Sequence, residues 1–212
     1  MKIYTISGLG ADSRLFQNLQ LEGEIINLEW IQPTQYESLK SYALRLAEKI
    51  NKEEKFVLIG LSFGGMVATE IAKKYKPEKL ILISSVPTRK ELRPLYRFIG
   101  QTQINKLIPT MTMNQNAKLL AKIFGTKEVA VLDAILKGSN PRFTKEFINM
   151  ILNWNNSQIP ENIVRIHGEK DLILPCPQNP DLKIEKGGHL IILDNHKEVS
   201  DFIDQKLNSN QD

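Results

Sequence analysis

Gly60-Leu61-Ser62-Phe63-Gly64 sets a serine between two glycines, each two residues away. The run before it, Phe56-Val57-Leu58-Ile59, is apolar and reads as a buried parallel strand. From Met66 the period changes, with Val67, Ile71 and Tyr75 four apart on one helical face. Ser62 therefore stands at a sharp strand-to-helix turn, the arrangement that presents a nucleophile. Turning within so few residues forces the serine into a sparsely allowed backbone conformation, a strain of about 1–3 kcal/mol. Gly60 and Gly64 flank the tip, where neighbouring backbone comes too close for a Cβ. The turn lifts the hydroxyl above the sheet edge and aims the unpaired N–H groups of the helix N-terminus at it, which suits a developing oxyanion. The competing reading is a chance match, since glycine and serine are common in loops. The flanking strand and helix favour the functional one.

A serine hydroxyl is a poor nucleophile at neutral pH, so it needs a base in hydrogen-bond reach and an acid to orient that base. The chain has three histidines, His167, His189 and His196. His189 follows a predicted strand and a Gly-Gly pair, which puts it at the carboxyl edge of the sheet, where open α/β sheets place their sites. His167 also ends a strand, but directly before Gly168, where a packed or hydrogen-bonded imidazole is expected. His196 opens the last helix beside Asn195, an exposed setting. Asp171 lies four residues past the His167 strand end, on a loop at the same edge; Asp194 and Asp133 are rival acids. The single cysteine, Cys176, lies in Leu174-Pro175-Cys176-Pro177 with no base motif around it and reads as a structural thiol.

The elements that must hold these side chains alternate. Ile3–Ile6 is a short strand ending at Ser7-Gly8-Leu9-Gly10, and a helix is expected to begin near Ala11–Phe16. A second strand covers Ile25–Trp30, and Leu39–Ile50 carries an amphipathic stripe. After the Ser62 turn and its helix, Lys79–Ser85 is another buried strand. The order β, turn, β, α, β, α, β is that of a parallel sheet with helices on its faces. From Val86 to about Gln158 no strand pattern occurs; short helices are expected at Leu92–Phe98, Asn116–Phe124, Glu128–Leu136 and Thr144–Trp154. The sheet resumes at Asn162–His167 and Leu182–Glu185, and a final helix covers about Lys197–Leu207.

Ser62, then Asp171, then His189 is the chain order of the α/β-hydrolase family, which this sequence resembles. The resemblance rests on GLSFGG at the turn, HGEKDLILP around the acid and GGHLIILDNHKEV around the base, and it covers most of the chain. It implies an α/β fold of about six mostly parallel strands. Residues 1–86 and 159–212 would form the core, with an all-helical cap at 87–158 and the first strands of the full fold absent. It further implies Ser62 as nucleophile, His189 as base and then acid, and Asp171 as orienting carboxylate, with the backbone N–H groups of Leu9 and Phe63 as the oxyanion hole. One departure stands out: Ser7-Gly8 occupies the turn where the family usually has His-Gly, so the support a histidine gives that loop is missing.

The resemblance implies a serine hydrolase cleaving a small carboxylic ester, or a thioester or amide, with no metal or organic cofactor. Carbon–carbon bond cleavage or a lyase reaction on the same triad is the alternative, as is a non-catalytic ligand-binding member. Leu95, Ile99, Ile108, Met111, Met113, Phe124 and Trp154 are apolar cap residues that suit an acyl pocket and equally suit packing of short helices. Phe63, beside the nucleophile, is expected to face substrate. Residues 87–158 hold eleven Lys and Arg against four Asp and Glu, a solvated face or a bias towards anionic ligands.

The bulk numbers fit a single domain. At 212 residues the chain is long enough to bury roughly 70% of its unfolded surface without disulfide or metal. A net charge of +4, without zinc spacing or an RNA-binding aromatic signature, argues against nucleic acid as partner. No apolar run approaches the ~20 residues of a membrane span, and the polar start MKIYTISGLG and lone cysteine give a cytoplasmic expectation. A dinucleotide fingerprint at Gly8-x-Gly10 fails for want of a third glycine, with Glu29 the nearest acidic partner.

Overall fold

Apolar strands with no polar alternation are stable only where both faces are covered. Lys2–Ile6 (β1), Glu24–Asn27 (β2), Phe56–Leu61 (β3), Lys79–Ile83 (β4), Ile163–Gly168 (β5) and Leu182–Ile184 (β6) form one six-stranded sheet, in which the central strands meet that condition and the edge strands β2 and β6 are only partly buried. A computed structural model describes residues 1–102 and 116–209 of the chain. The sheet order is β2-β1-β3-β4-β5-β6, and every neighbouring pair is parallel. After β2 the chain returns to the other side of β1 and then proceeds outward. The order thus reverses between β1 and β3, the point at which open α/β sheets bind their ligands.

The period-2 alternation of the strands splits the core into two. Tyr4, Ile6, Leu58, Leu80 and Leu82 face one layer of helices; Ile3, Val57, Ile59, Ile81 and Ile83 face the other. The first layer takes Leu39–Leu46 (α1) and Phe63–Tyr75 (α2). Ser38 caps α1 by accepting the N–H of Ser41, and the stripe Leu39, Tyr42, Ala43, Leu46 is buried, as the amphipathic pattern requires. The second layer takes Ile191–Asp194 (α7) and His196–Asn208 (α8).

Between β4 and β5 the described residues contain α-helices and a 3-10 turn but no strand: Pro94–Thr102 (α3), Ala117–Phe124 (α4), Val129–Gly138 (α5) and Pro141–Asn153 (α6). They divide between the layers. Phe147 and Met150 of α6 join the α1–α2 core, whereas Ala121, Leu132 and Ile135 of α4 and α5 join the other. Phe147 is fully buried among Trp30, Tyr42 and Phe63, with ring centroids 5.0–5.2 Å away. Truncating such a side chain typically costs about 3–5 kcal/mol.

Several boundaries differ from expectation, three of them in the first half of the chain with a visible cause. Ser13–Phe16 is a 3-10 turn, not the start of an α-helix, because Asp12 accepts the Arg14 N–H and the chain turns away once Leu15 and Phe16 are buried. The edge strand β2 stops at Asn27, since Leu28 makes one more bond to β1 and Trp30 then leaves to stack on α6. The α1 helix ends at Leu46 and tightens into a 3-10 turn over Ala47–Lys49. Among the described residues no helix is long and apolar enough to cross a membrane.

Candidate active site

The turn after β3 has the strain its sequence demands. Ser62 has φ 53° and ψ −118°, outside the regions open to ordinary residues. Glycine is required around it by crowding. A Cβ on Gly60 would strike Gly65, one on Gly64 would strike the carbonyls of Ile6 and Ser7, and one on Gly65 would strike the Ser85 side chain. Ser85 also holds the turn, donating its hydroxyl to the Ser62 carbonyl at 2.6 Å. Gly65 and Ser85 are parts of this clasp that the Gly-x-Ser-x-Gly spacing does not reveal.

Three side chains from three loops then meet. The Ser62 hydroxyl donates to Nε2 of His189 at 2.8 Å, and Nδ1–H of His189 donates to Oδ2 of Asp171 at 2.7 Å. The other carboxylate oxygen accepts the backbone N–H groups of Ile173 and Leu174 at 2.8 and 3.0 Å. Burial pushes the Asp171 carboxyl up, but donors from His167 and His189 outweigh it and hold it well below the usual carboxylate range. The carboxylate is therefore ionised and fixes His189 with its proton on Nδ1, leaving Nε2 free to take one.

The rival groups lie elsewhere. Asp133 pairs with Lys137 on the surface, Asp194 accepts the Lys127 N–H, and His196 Nδ1 sits 3.1 Å from the Leu193 carbonyl. Burial pushes the Cys176 thiol up, the opposite of an activated nucleophile. His167 is buried against the other side of Asp171, its Nε2 3.0 Å from Oδ2.

The turn after β1 borders Ser62, and the Cβ position of Gly8 lies 3.6 Å from the serine Cβ. The N–H groups of Leu9 and Phe63 have no acceptor among the described residues. The loop is braced without a histidine: the Ser7 hydroxyl and the Trp30 indole both donate to the Ala11 carbonyl, at 2.9 and 2.8 Å.

A cavity of about 660 Å³ opens over Ser62 and His189. Leu9, Leu15, Leu120, Phe124, Leu132, Ile135, Leu136 and Leu190 supply its apolar wall, with Ser139 and Thr144 the polar exceptions; among the described residues no lining side chain is Asp, Glu, Lys or Arg. The described Lys and Arg residues of 87–158 therefore do not line it. Part of that excess is used in packing: Arg89 donates to the carbonyls of Leu152 and Trp154, and Arg93 to those of Asp171 and Ile173. The end of α4 is tied to the base loop as well. The Phe124 carbonyl accepts the N–H groups of His189 and Leu190, and Gly125 packs directly on Gly188.

Three substrate-contact expectations are corrected. Phe63 is 1% exposed and its ring is packed between Trp30 and Phe147, because the first residue of α2 turns its side chain back into the core. Leu95 is 61% exposed and far from lining the cavity. Trp154 is buried on the opposite side of the sheet, donating its indole N–H to Glu70. Ile99 is not among the lining residues, and Ile108, Met111 and Met113 lie outside the described residues. Among the described residues of that set, only Phe124 lines the cavity. Among the described residues no cluster of three or more His, Cys, Asp or Glu is placed to hold a metal ion.

Comparison with known structures gives matches along the whole chain. An esterase from Thermogutta terrifontis aligns over 99% of this chain and 90% of its own, with a TM-score of 0.67 and 18% identity. MenH from S. aureus aligns over 100% and 95%, at 0.70 and 17%. A hydrolase from Pseudomonas aeruginosa PA01 aligns over 98% and 89%, at 0.75 and 13%. No family model and no curated protein matches the sequence. The architecture is the α/β-hydrolase fold.

Proposed function

We propose that this protein is a serine hydrolase that cleaves small carboxylic esters with an apolar acyl group, through an acyl-enzyme. One observation carries the reading: an unbroken chain of hydrogen bonds, Ser62 to His189 to Asp171, ends in a cavity with an apolar wall. Esterases among the proteins of similar fold support the choice of bond.

In this mechanism Ser62 Oγ attacks the ester carbonyl as His189 Nε2 takes its proton. Asp171, ionised and fixed by four N–H groups, stabilises the imidazolium. The free N–H groups of Leu9 and Phe63 receive the oxyanion, and such a donor is worth on the order of 10²–10³ in rate. The imidazolium then protonates the leaving alcohol, and water activated by the same Nε2 releases the acid. Residues 1–86 and 159–212 act as the catalytic core. Residues 87–158 act as a cap whose α4 and α5 form the acyl wall. The uncharged wall favours neutral acyl chains over dicarboxylic or cationic ones. The lone free cysteine supports a cytoplasmic setting.

Hydrolysis of a p-nitrophenyl ester series from acetyl to octanoyl tests the reading. The parent is expected to turn over these esters and Ser62→Ala to lose activity; full activity in Ser62→Ala would refute it.

A further inference from the structure

A second imidazole touches the triad, counted above only as one of four N–H groups on Asp171. His167 is the next-to-last residue of β5, is 1% exposed, and carries its ring against the triad acid. Its Nε2 lies 3.0 Å from Asp171 Oδ2 and 3.4 Å from the Leu174 carbonyl. Both neighbours are acceptors, so Nε2 carries hydrogen and faces the two of them at once. Oδ2 is also the oxygen to which His189 donates. One carboxylate oxygen thus stands between two buried histidines, one on the reacting side and one on the strand.

We propose that His167 is a positioning residue for the triad: its N–H against Oδ2 sets the orientation of Asp171 and limits how strongly that oxygen draws on the His189 proton. This rests on the triad reading above. The physical reason is competition. An oxygen that already faces one donor gives up part of its charge to it, so the second partner feels a weaker acceptor. His189 has to release its proton to the leaving group as well as to take one. The other groups around the pair are few. Arg93 reaches the Asp171 and Ile173 carbonyls from the start of α3, Tyr96 and Cys176 lie near enough to feel the Asp171 charge, and Ser62 is on the far side of His189. None of these donates to the carboxylate oxygens, and the Ile173 and Leu174 N–H groups hold Oδ1, so on Oδ2 His167 is the one donor besides His189 among the described residues.

The test compares His167→Leu, which removes the donor, with His167→Gln, whose amide N–H can reach the same oxygen. Ring 15N titration of the labelled full-length protein reads His189 without any need for turnover. In His167→Leu the His189 midpoint is expected to rise by about half a pH unit or more. The acid limb of kcat/KM for a p-nitrophenyl ester should move up with it, kcat should fall on the order of tenfold and KM should stay the same. His167→Gln should return both midpoints to the parent values. Should His167→Leu not fold, His167→Asn, too short to reach Oδ2, takes its place. A His189 midpoint unchanged in every variant overturns the proposal, as does a shift that His167→Gln shares in full. If the His189 midpoint moves as expected in a protein that hydrolyses no ester, the proposed function fails and this coupling stands.

Discussion

Two cavities of nearly equal size, about 660 and 640 Å³, lie on opposite sides of this sheet, and they differ in what their polar groups are doing. The second is lined by Glu70, Lys73, Trp154, Asn156 and neighbours from α1 and α6. The polar groups of these four side chains are spent on one another and on nearby carbonyls. Glu70 accepts from Trp154 and Lys73 at 2.8 Å, Lys73 also donates to Asn156, and Asn156 donates to the carbonyls of Pro87 and Gln158. The first cavity holds few polar groups, but its serine hydroxyl is hydrogen-bonded to an imidazole and two backbone N–H groups beside it have no acceptor among the described residues. The lesson is that volume and charge do not mark a site. Polar atoms with unused capacity, aimed into an apolar space, do.

The contrast can be broken or sharpened by substitution. The largest difference is expected between the two buried carboxylates. Asp171→Asn should lower kcat on the order of 10⁴-fold, because the amide would leave His189 in the wrong tautomer. Glu70→Gln should leave kcat unchanged in ester assays run side by side. A comparable loss from both would mean that the cavities are one functional unit.

Next in size is the apolar wall. Ile135→Trp should fill the cavity and lower kcat/KM for an octanoyl ester by about ten- to a hundredfold relative to acetyl, since each methylene in such a pocket is worth roughly 1–3 kcal/mol. Steady-state kinetics over the acyl series give the ratio, and an unchanged ratio would place the acyl chain elsewhere.

The smallest effects are on stability alone. Trp154→Phe leaves the buried Glu70 without its indole donor and should cost about 1–3 kcal/mol in urea unfolding, with kcat retained. Leu95→Ser, on the surface, should stay within about 0.5 kcal/mol. These two separate a packing role from substrate contact at positions where an apolar cap residue alone suggested either.

Much of this could be read from residue order. Parallel strands buried on both faces leave continuous apolar runs, and the serine turn leaves its glycines, so the sheet, Ser62 and the loops bearing Asp171 and His189 are legible in the chain. What stayed hidden depends on side-chain direction and on contacts between distant loops. Phe63 follows the nucleophile in sequence yet points into the core, because the first helical turn faces back towards Trp30 and Phe147. Leu120, Leu132 and Ile135 line the cavity through packing of α4 and α5 that a helical period does not orient. Ser7 and Trp30 replace the expected histidine support of the β1 turn, and only their shared acceptor, the Ala11 carbonyl, shows it.

Intact and peptide mass spectrometry of the protein quenched during turnover of a slowly deacylated ester tests the central claim most directly. One acyl group is predicted, on the peptide carrying Ser62, and it should be absent from Ser62→Ala. An acyl group on any other residue, or turnover with no covalent adduct when deacylation is demonstrably slow, would contradict it.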